Sequence, residues 1–230
     1  MARPVSVDPP RLGRTAGLAW ARFDPDGAPR GAMLVLHGAG SRKESHYDFG
    51  RAAQAAGYAA LVFDARGHGE SEGALGAGAL DDLAAMAGEL PRDVPLALRG
   101  SSMGGYFAIV GAAHVGARAV IAICPAPADG LARGLSAGRF DFRADEPALL
   151  AFLAEHDDLQ VVSGWRGALL LLHAEGDESV PYAHSVSLDA AAIEAEPKRL
   201  LVLPGGNHRS IQHDAELQAE SLRWLSSALA

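Results

Sequence analysis

Seven short, nearly unbroken apolar runs recur along the chain, and most are followed by an Ala-rich amphipathic stretch. The runs are AGLAWARF (16–23), AMLVLH (32–37), YAALVFD (58–64), LALRG (96–100), AVIAICP (119–125), GALLLLH (167–173) and RLLVLPG (199–205). A strand with one wet face alternates apolar and polar residues; a run that does not alternate belongs in a parallel sheet covered on both faces. Helical patterning falls between the runs at 44–57, 78–90, 103–116, 183–195 and 213–229. Strand and helix in turn specify an α/β chain: an open, mostly parallel, doubly wound sheet with right-handed crossovers. Residues 1–15, rich in Pro, Arg and Gly, are expected to run loosely to the first strand. Residues 126–166 break the rhythm. They comprise a Gly/Ala/Arg-rich half and a helical half (ALLAFLAEHDDL), and such an insertion is expected to act as a short cap, a lid or binding loop.

With 230 residues, 49% of them hydrophobic and 21% charged, the chain suits one domain over 1–230 with one sizeable core. The longest aliphatic stretch, ALLLL (168–172), is far too short to cross a bilayer. The N-terminal segment has an early Arg with no apolar run behind it, unlike a secretory signal. One cysteine, Cys124, excludes an internal disulfide framework and suits a reducing cytoplasm. A formal charge of −8 argues against nucleic acid or anionic lipid as a general partner. The partner expected is a small molecule, and the protein a monomer or homodimer.

In sheets of this kind functional groups gather at the carboxyl ends of strands. The sharpest cluster there is GSSMGG (100–105), between the strand LALR and a helical stretch. It contains G-x-S-x-G as Gly100-Ser101-Ser102-Met103-Gly104. A nucleophile on a strand-to-helix turn takes a strained backbone, and side chains two residues to either side would collide. Ser102 has glycine at both places, whereas Ser101 would have Arg99 and Met103, so Ser102 is the candidate nucleophile. The competing role for it is an N-capping serine at a tight turn.

A serine hydroxyl needs a base, and the base an orienting carboxylate. After GALLLLH, the segment AEGDESVP presents Asp177 in a turn; after RLLVLP, the segment GGNH presents His208. Glu178 and Asp129 are rival carboxylates, and His213, expected within the last helix, is the rival base. The turn HGAG (37–40) can leave a backbone N–H free, so Ala39 and Met103 are the expected oxyanion donors. His37 is expected to be structural.

Together HGAG, DARGHGES (64–71), GSSMGG, EGDESVP and GGNH stand in the order found in α/β-hydrolases. From about residue 16 onward the chain resembles that superfamily, and most closely its small carboxylesterase and lysophospholipase-like branch related to the serine aminopeptidase group. The resemblance implies the α/β-hydrolase fold, and for DARGHGES a structural loop in which Asp64 and Arg66 tie neighbouring turns. The chain departs from relatives in its short insertion and in lacking an evident first strand, which leaves a sheet of about seven strands.

The expected chemistry is cleavage of a carboxylic ester or thioester through an acyl-enzyme on Ser102, with no cofactor. A peptidase or thioesterase would use the same residues, and a non-catalytic binding protein of this fold is the alternative from another class. A dehalogenase would need an aspartate at position 102. Cys124 reads as a buried small hydrophobe, and the scattered histidines lack metal-ligand spacing. Phe140, Phe142, Phe152 and Trp165 either line an acyl pocket or form the core of the insertion, and the loop at 41–48 is expected to shape the pocket.

Overall fold

A computed structural model describes residues 9–230. Among the described residues eight strands form one sheet: β1 (Arg11–Thr15), β2 (Leu18–Phe23), β3 (Gly31–Leu36), β4 (Tyr58–Phe63), β5 (Leu96–Ser101), β6 (Ala119–Ile123), β7 (Ala168–Ala174) and β8 (Lys198–Leu203). Their order is β1-β2-β4-β3-β5-β6-β7-β8, antiparallel at β1/β2 and β2/β4 and parallel from β4 to β8. The sheet therefore has eight strands rather than about seven. The added one, β1, lies in the segment expected to be loose; the part of that segment at residues 1–8 falls outside the described residues. An edge strand buries little, so β1 lacks the apolar density that marks the others. Instead, the Trp20 ring of β2 lies against Gly13, where a Cβ would come within 2.2 Å of it.

The unbroken apolar runs are explained by two core layers. On one face Leu34, Leu98, Leu169 and Leu171 pack with α2 (Ala79–Ala87), α3 (Met103–Gly111) and α7 (Ala183–Ala191). On the other, Met33, Val35, Leu170 and Leu172 pack with α1 (Tyr47–Ala55), α8 (Ser210–His213) and α9 (Ala215–Ala228). A buried Leu or Val contributes roughly 1.5–3 kcal/mol, so neighbouring residues pull the strand toward opposite layers and hold it flat between them.

The insertion folds into α4 (Ala128–Ser136), α5 (Glu146–Glu155) and α6 (Asp158–Ser163), and Leu131, Leu149, Phe152 and Val162 join the core on the α3 side. Its Gly/Ala/Arg-rich half is thus partly helical. The last helical stretch is divided in two: Asp214 accepts hydrogen bonds from Glu216 N–H and Leu217 N–H and starts α9, leaving His213 at the end of α8 instead of inside the final helix. Among the described residues, no helix is long and apolar enough to cross a membrane.

Strand β3 lies between β4 and β5, so the chain winds outward from it in both directions. The crevice outside the carboxyl ends of β3 and β5 is the place where such sheets bind ligands. HGAG leaves β3 there, and GSSMGG straddles the end of β5.

Candidate active site

The turn from β5 to α3 is built by steric exclusion. Ser102 occupies it with φ 55° and ψ −120°, a conformation that L residues rarely adopt. A Cβ on Gly100 would lie 1.9 Å from Gly104 O, and one on Gly104 would lie 2.3 Å from Leu36 O. The turn is tied down by Ser102 N–H donating to Ile123 O (2.9 Å) and by Tyr106 N–H and Ala126 N–H donating to Ser102 O (3.1 Å each). Although Ser102 stands at the N-cap of α3, its hydroxyl makes no capping bond. Ser101 is the last, buried residue of β5.

β7 and β8 pair in register as far as Ala174 opposite Leu203, so the turns beyond them emerge side by side. Asp177 Oδ1 accepts from Ser179 N–H and Val180 N–H (2.8 Å each), and Oδ2 accepts from His208 Nδ1 at 2.7 Å. The Asp177 side chain is fully buried. Burial pushes its carboxyl upward, but the bonds from Val180 N–H, His208 and Ser179 N–H outweigh this and hold it below the usual carboxylate range. Because His208 Nδ1 donates to Asp177, Nε2 is the nitrogen left to accept a proton. Ser102 and His208 line one cleft, although among the described residues no hydrogen bond joins them. Contacts of this kind are often long before substrate binds.

The rival groups are engaged elsewhere. Asp129, on α4, pairs with Arg133, and Glu178 is exposed. His213 Nδ1 bonds Asp48 Oδ2 at 2.9 Å. Cys124 is buried with a positive φ of 43°, and burial drives its thiol well above the usual range. Among the described residues Cys124, Asp177 and His208 form the one group close enough to share a metal ion, their ligand atoms lying within 4.8 Å of one another. Two of these three already satisfy each other through the bond at 2.7 Å.

The β3 turn closes against the elbow: a Cβ on Gly38 would sit 3.3 Å from Ser102 Cβ. Among the described residues, the backbone N–H groups of Ala39 and Met103 donate to no protein acceptor. His37 lies beneath, with Nδ1 donating to Gly38 O (2.8 Å) and Nε2 accepting from Ala65 N–H (3.0 Å). Burial first, then the nearby His68, lowers its pKa to about 4, so it is neutral and structural. Asp64 accepts from Lys43 N–H, Lys43 Nζ and Glu70 N–H, while Arg66 forks onto Asp82, so DARGHGES is a brace for the neighbouring turns.

The cleft above Ser102 measures ≈ 600 Å³. Its walls come from residues 38–42, Ser45, residues 67–69, Asp141, His208, Arg209, Gln212 and His213. Of the 41–48 loop, Ser41, Arg42 and Ser45 reach it. Two wall cations, Arg42 and Arg209, belong to no sequence motif. Their only signal is position, one just beyond HGAG and the other directly after His208. Phe140 and Phe142 lie instead around a small apolar cavity of ≈ 10 Å³ beneath the insertion, and Phe152 and Trp165 pack in or against the core.

In sequence, the family described as serine aminopeptidase, S33, matches residues 27–144, half of the chain. No curated protein matches. In structure the chain is similar to Est1E from Butyrivibrio proteoclasticus, with TM-score 0.74 and 16% identity over 96% of this chain and 99% of that one. It is similar to a Paleococcus ferrophilus monoacylglycerol lipase, with TM-score 0.71 and 20% identity over 92% and 98%. The esterase domain of a Rhodothermus marinus protein is similar at TM-score 0.74 and 25% identity over 93% and 94%.

Proposed function

Since the chain belongs to the serine aminopeptidase family of α/β-hydrolases, we propose that it is a serine hydrolase of carboxylic esters, acting through Ser102, His208 and Asp177. The observation that carries this reading is the pairing of two features at one cleft. Ser102 stands on a strained elbow with its hydroxyl uncommitted, and His208 is oriented by Asp177 at 2.7 Å. Ester cleavage is put ahead of thioester or peptide cleavage because the similar structures named above are an esterase domain and a lipase.

The reaction proceeds in two halves. Ser102 Oγ attacks the ester carbonyl carbon as His208 Nε2 takes its proton, and Asp177 stabilises the imidazolium that forms. The carbonyl oxygen becomes an oxyanion between the N–H groups of Ala39 and Met103. His208 returns the proton to the departing alcohol, leaving an acyl-Ser102. Water, activated by the same histidine, then releases the acid and restores Ser102. Every step is carried by groups of the chain and by water.

Turnover of 4-nitrophenyl acetate tests the reading. Ser102→Ala should lower kcat on the order of 10⁶-fold, as loss of a triad nucleophile does, while Ser101→Ala keeps most activity. An inactive Ser101→Ala beside an active Ser102→Ala would contradict it.

A further inference from the structure

We infer that the preferred substrate is a short ester bearing an anionic group, held by Arg42 and Arg209, an inference that rests on the serine-hydrolase reading above.

The first observation is the chemistry of the walls. Among the described residues lining the cleft, none is a Val, Leu, Ile, Met, Phe, Tyr or Trp; the largest apolar side chain is that of Ala39. A lipid-chain site needs apolar walls, and this cleft offers hydroxyls, imidazoles, an amide and guanidinium groups. The aromatic residues that could have accepted an acyl chain are spent on packing. The cavity ringed by Met103, Phe107, Phe140 and Phe142 holds only ≈ 10 Å³, and the one beside Leu36, Phe63 and Met103 only ≈ 20 Å³. Each has room for about one water molecule.

The second observation is charge placement. The chain carries a net charge of −8, yet two arginines and one carboxylate, Asp141, line this cleft. The segments 38–48 and 208–213 are tied together by the His213–Asp48 bond, and both arginines lie on them. Asp141 belongs to the other side, where Arg143 N–H donates to Gly67 O and His68 stacks on Phe142. Arg209 forms no ion pair among the described residues, and Arg42 makes only a long contact, 3.7 Å, with Glu44. An arginine fork matches a carboxylate or phosphate oxygen pair. These two flank the reacting atoms in the chain, one following the oxyanion turn and one following the base.

Two pairs of substrates separate the possible positions of the anion. Mono-4-nitrophenyl adipate is compared with 4-nitrophenyl hexanoate, and 4-acetoxybenzoate with its methyl ester, each corrected for its hydroxide-catalysed rate. In at least one pair the anionic ester should have kcat/KM roughly tenfold higher, as a charge-assisted contact implies. Added NaCl should reduce that ratio. Both side chains are exposed, so Arg42→Gln/Arg209→Gln should fold, as circular dichroism checks, and its ratio should fall toward one; Arg209→Glu should invert it. Ser102-dependent hydrolysis with no anion preference in either pair, or with rates rising along a series of longer acyl chains, overturns the inference alone. Hydrolysis that survives Ser102→Ala overturns both it and the reading beneath it.

Discussion

The elbow and the histidine loop reach the same cleft by opposite means. At the elbow, backbone sterics leave no alternative: Gly100 and Gly104 touch neighbouring main chain, and Ser102 is held at φ 55° between β5 and α3. The loop after β8 is exposed from Pro204 to Asn207, and its packing is slight. His208 is placed there by polar contacts, chiefly the 2.7 Å bond to Asp177. Asn207 Oδ1 helps by accepting from Arg209 N–H and Ser210 N–H (3.0 Å each). Ser102 is thus set by shape and His208 by hydrogen bonding. Damage to the first should appear as lost stability, and damage to the second as lost turnover in a folded protein.

Apart from removal of the Ser102 hydroxyl itself, the largest expected effect is on the loop side. Asp177→Asn keeps the size of the side chain but favours the wrong imidazole tautomer, so kcat should fall roughly 10⁴-fold with KM little changed. Asp129→Asn and Glu178→Gln, assayed on the same ester, should be mild. A crippled Asp129→Asn beside an active Asp177→Asn would move the carboxylate to the end of β6.

Gly100→Ala probes the elbow. Its Cβ would fall 1.9 Å from Gly104 O, and backbone cannot yield cheaply, so a loss of more than about 3 kcal/mol in denaturant unfolding is expected. A near-wild-type midpoint would mean that the turn is not sterically determined.

Acid should act on the same side of the site. His37 is buried under the HGAG turn, and its pKa is lowered from 6.5 to about 4. The unfolded chain therefore binds the proton more readily, and stability falls as pH drops from 6.5 toward 4. The contribution of His37 is on the order of 3 kcal/mol across that window. His37→Gln should flatten that part of the profile in urea titrations between pH 7 and 4; an equally steep fall would place the acid sensitivity elsewhere.

Asn207→Ala gives the smallest effect, removing the two acceptor bonds that shape the loop. About 1 kcal/mol is at stake, and kcat should drop several-fold while the melting temperature shifts little. A large melting shift without a kinetic change would make the loop a structural rather than a positioning element.

The contrast also explains what was legible in the sequence. Strands buried on both faces announce themselves, because β3 through β7 carry few polar side chains, Arg99, Ser101 and His173 being the exceptions. Ser102 was legible because glycine at 100 and 104 is a steric demand. Edge strand β1 was not, since an edge position tolerates Arg11 and Arg14. Helix α4 was obscured by Gly130 and Gly134, the latter kept where the Phe140 ring packs on it, within 2.5 Å of where a Cβ would lie. That requirement is tertiary and leaves no local signal. The start of α9 was written in the sequence as the capping Asp214, although the apolar periodicity ran across it. Arg42 and Arg209 carry no motif, and only the folded cleft brings them to one wall.

If Ser102 on the elbow is the nucleophile, its hydroxyl oxygen is the atom that reacts. Incubation of the folded protein with a fluorophosphonate, followed by peptide mapping, tests it most directly. One phosphonyl group per chain is expected, on Ser102, with labelling strongly slowed in Asp177→Asn. Labelling of Ser101, or ester hydrolysis that persists in a protein that takes up no label, would contradict it.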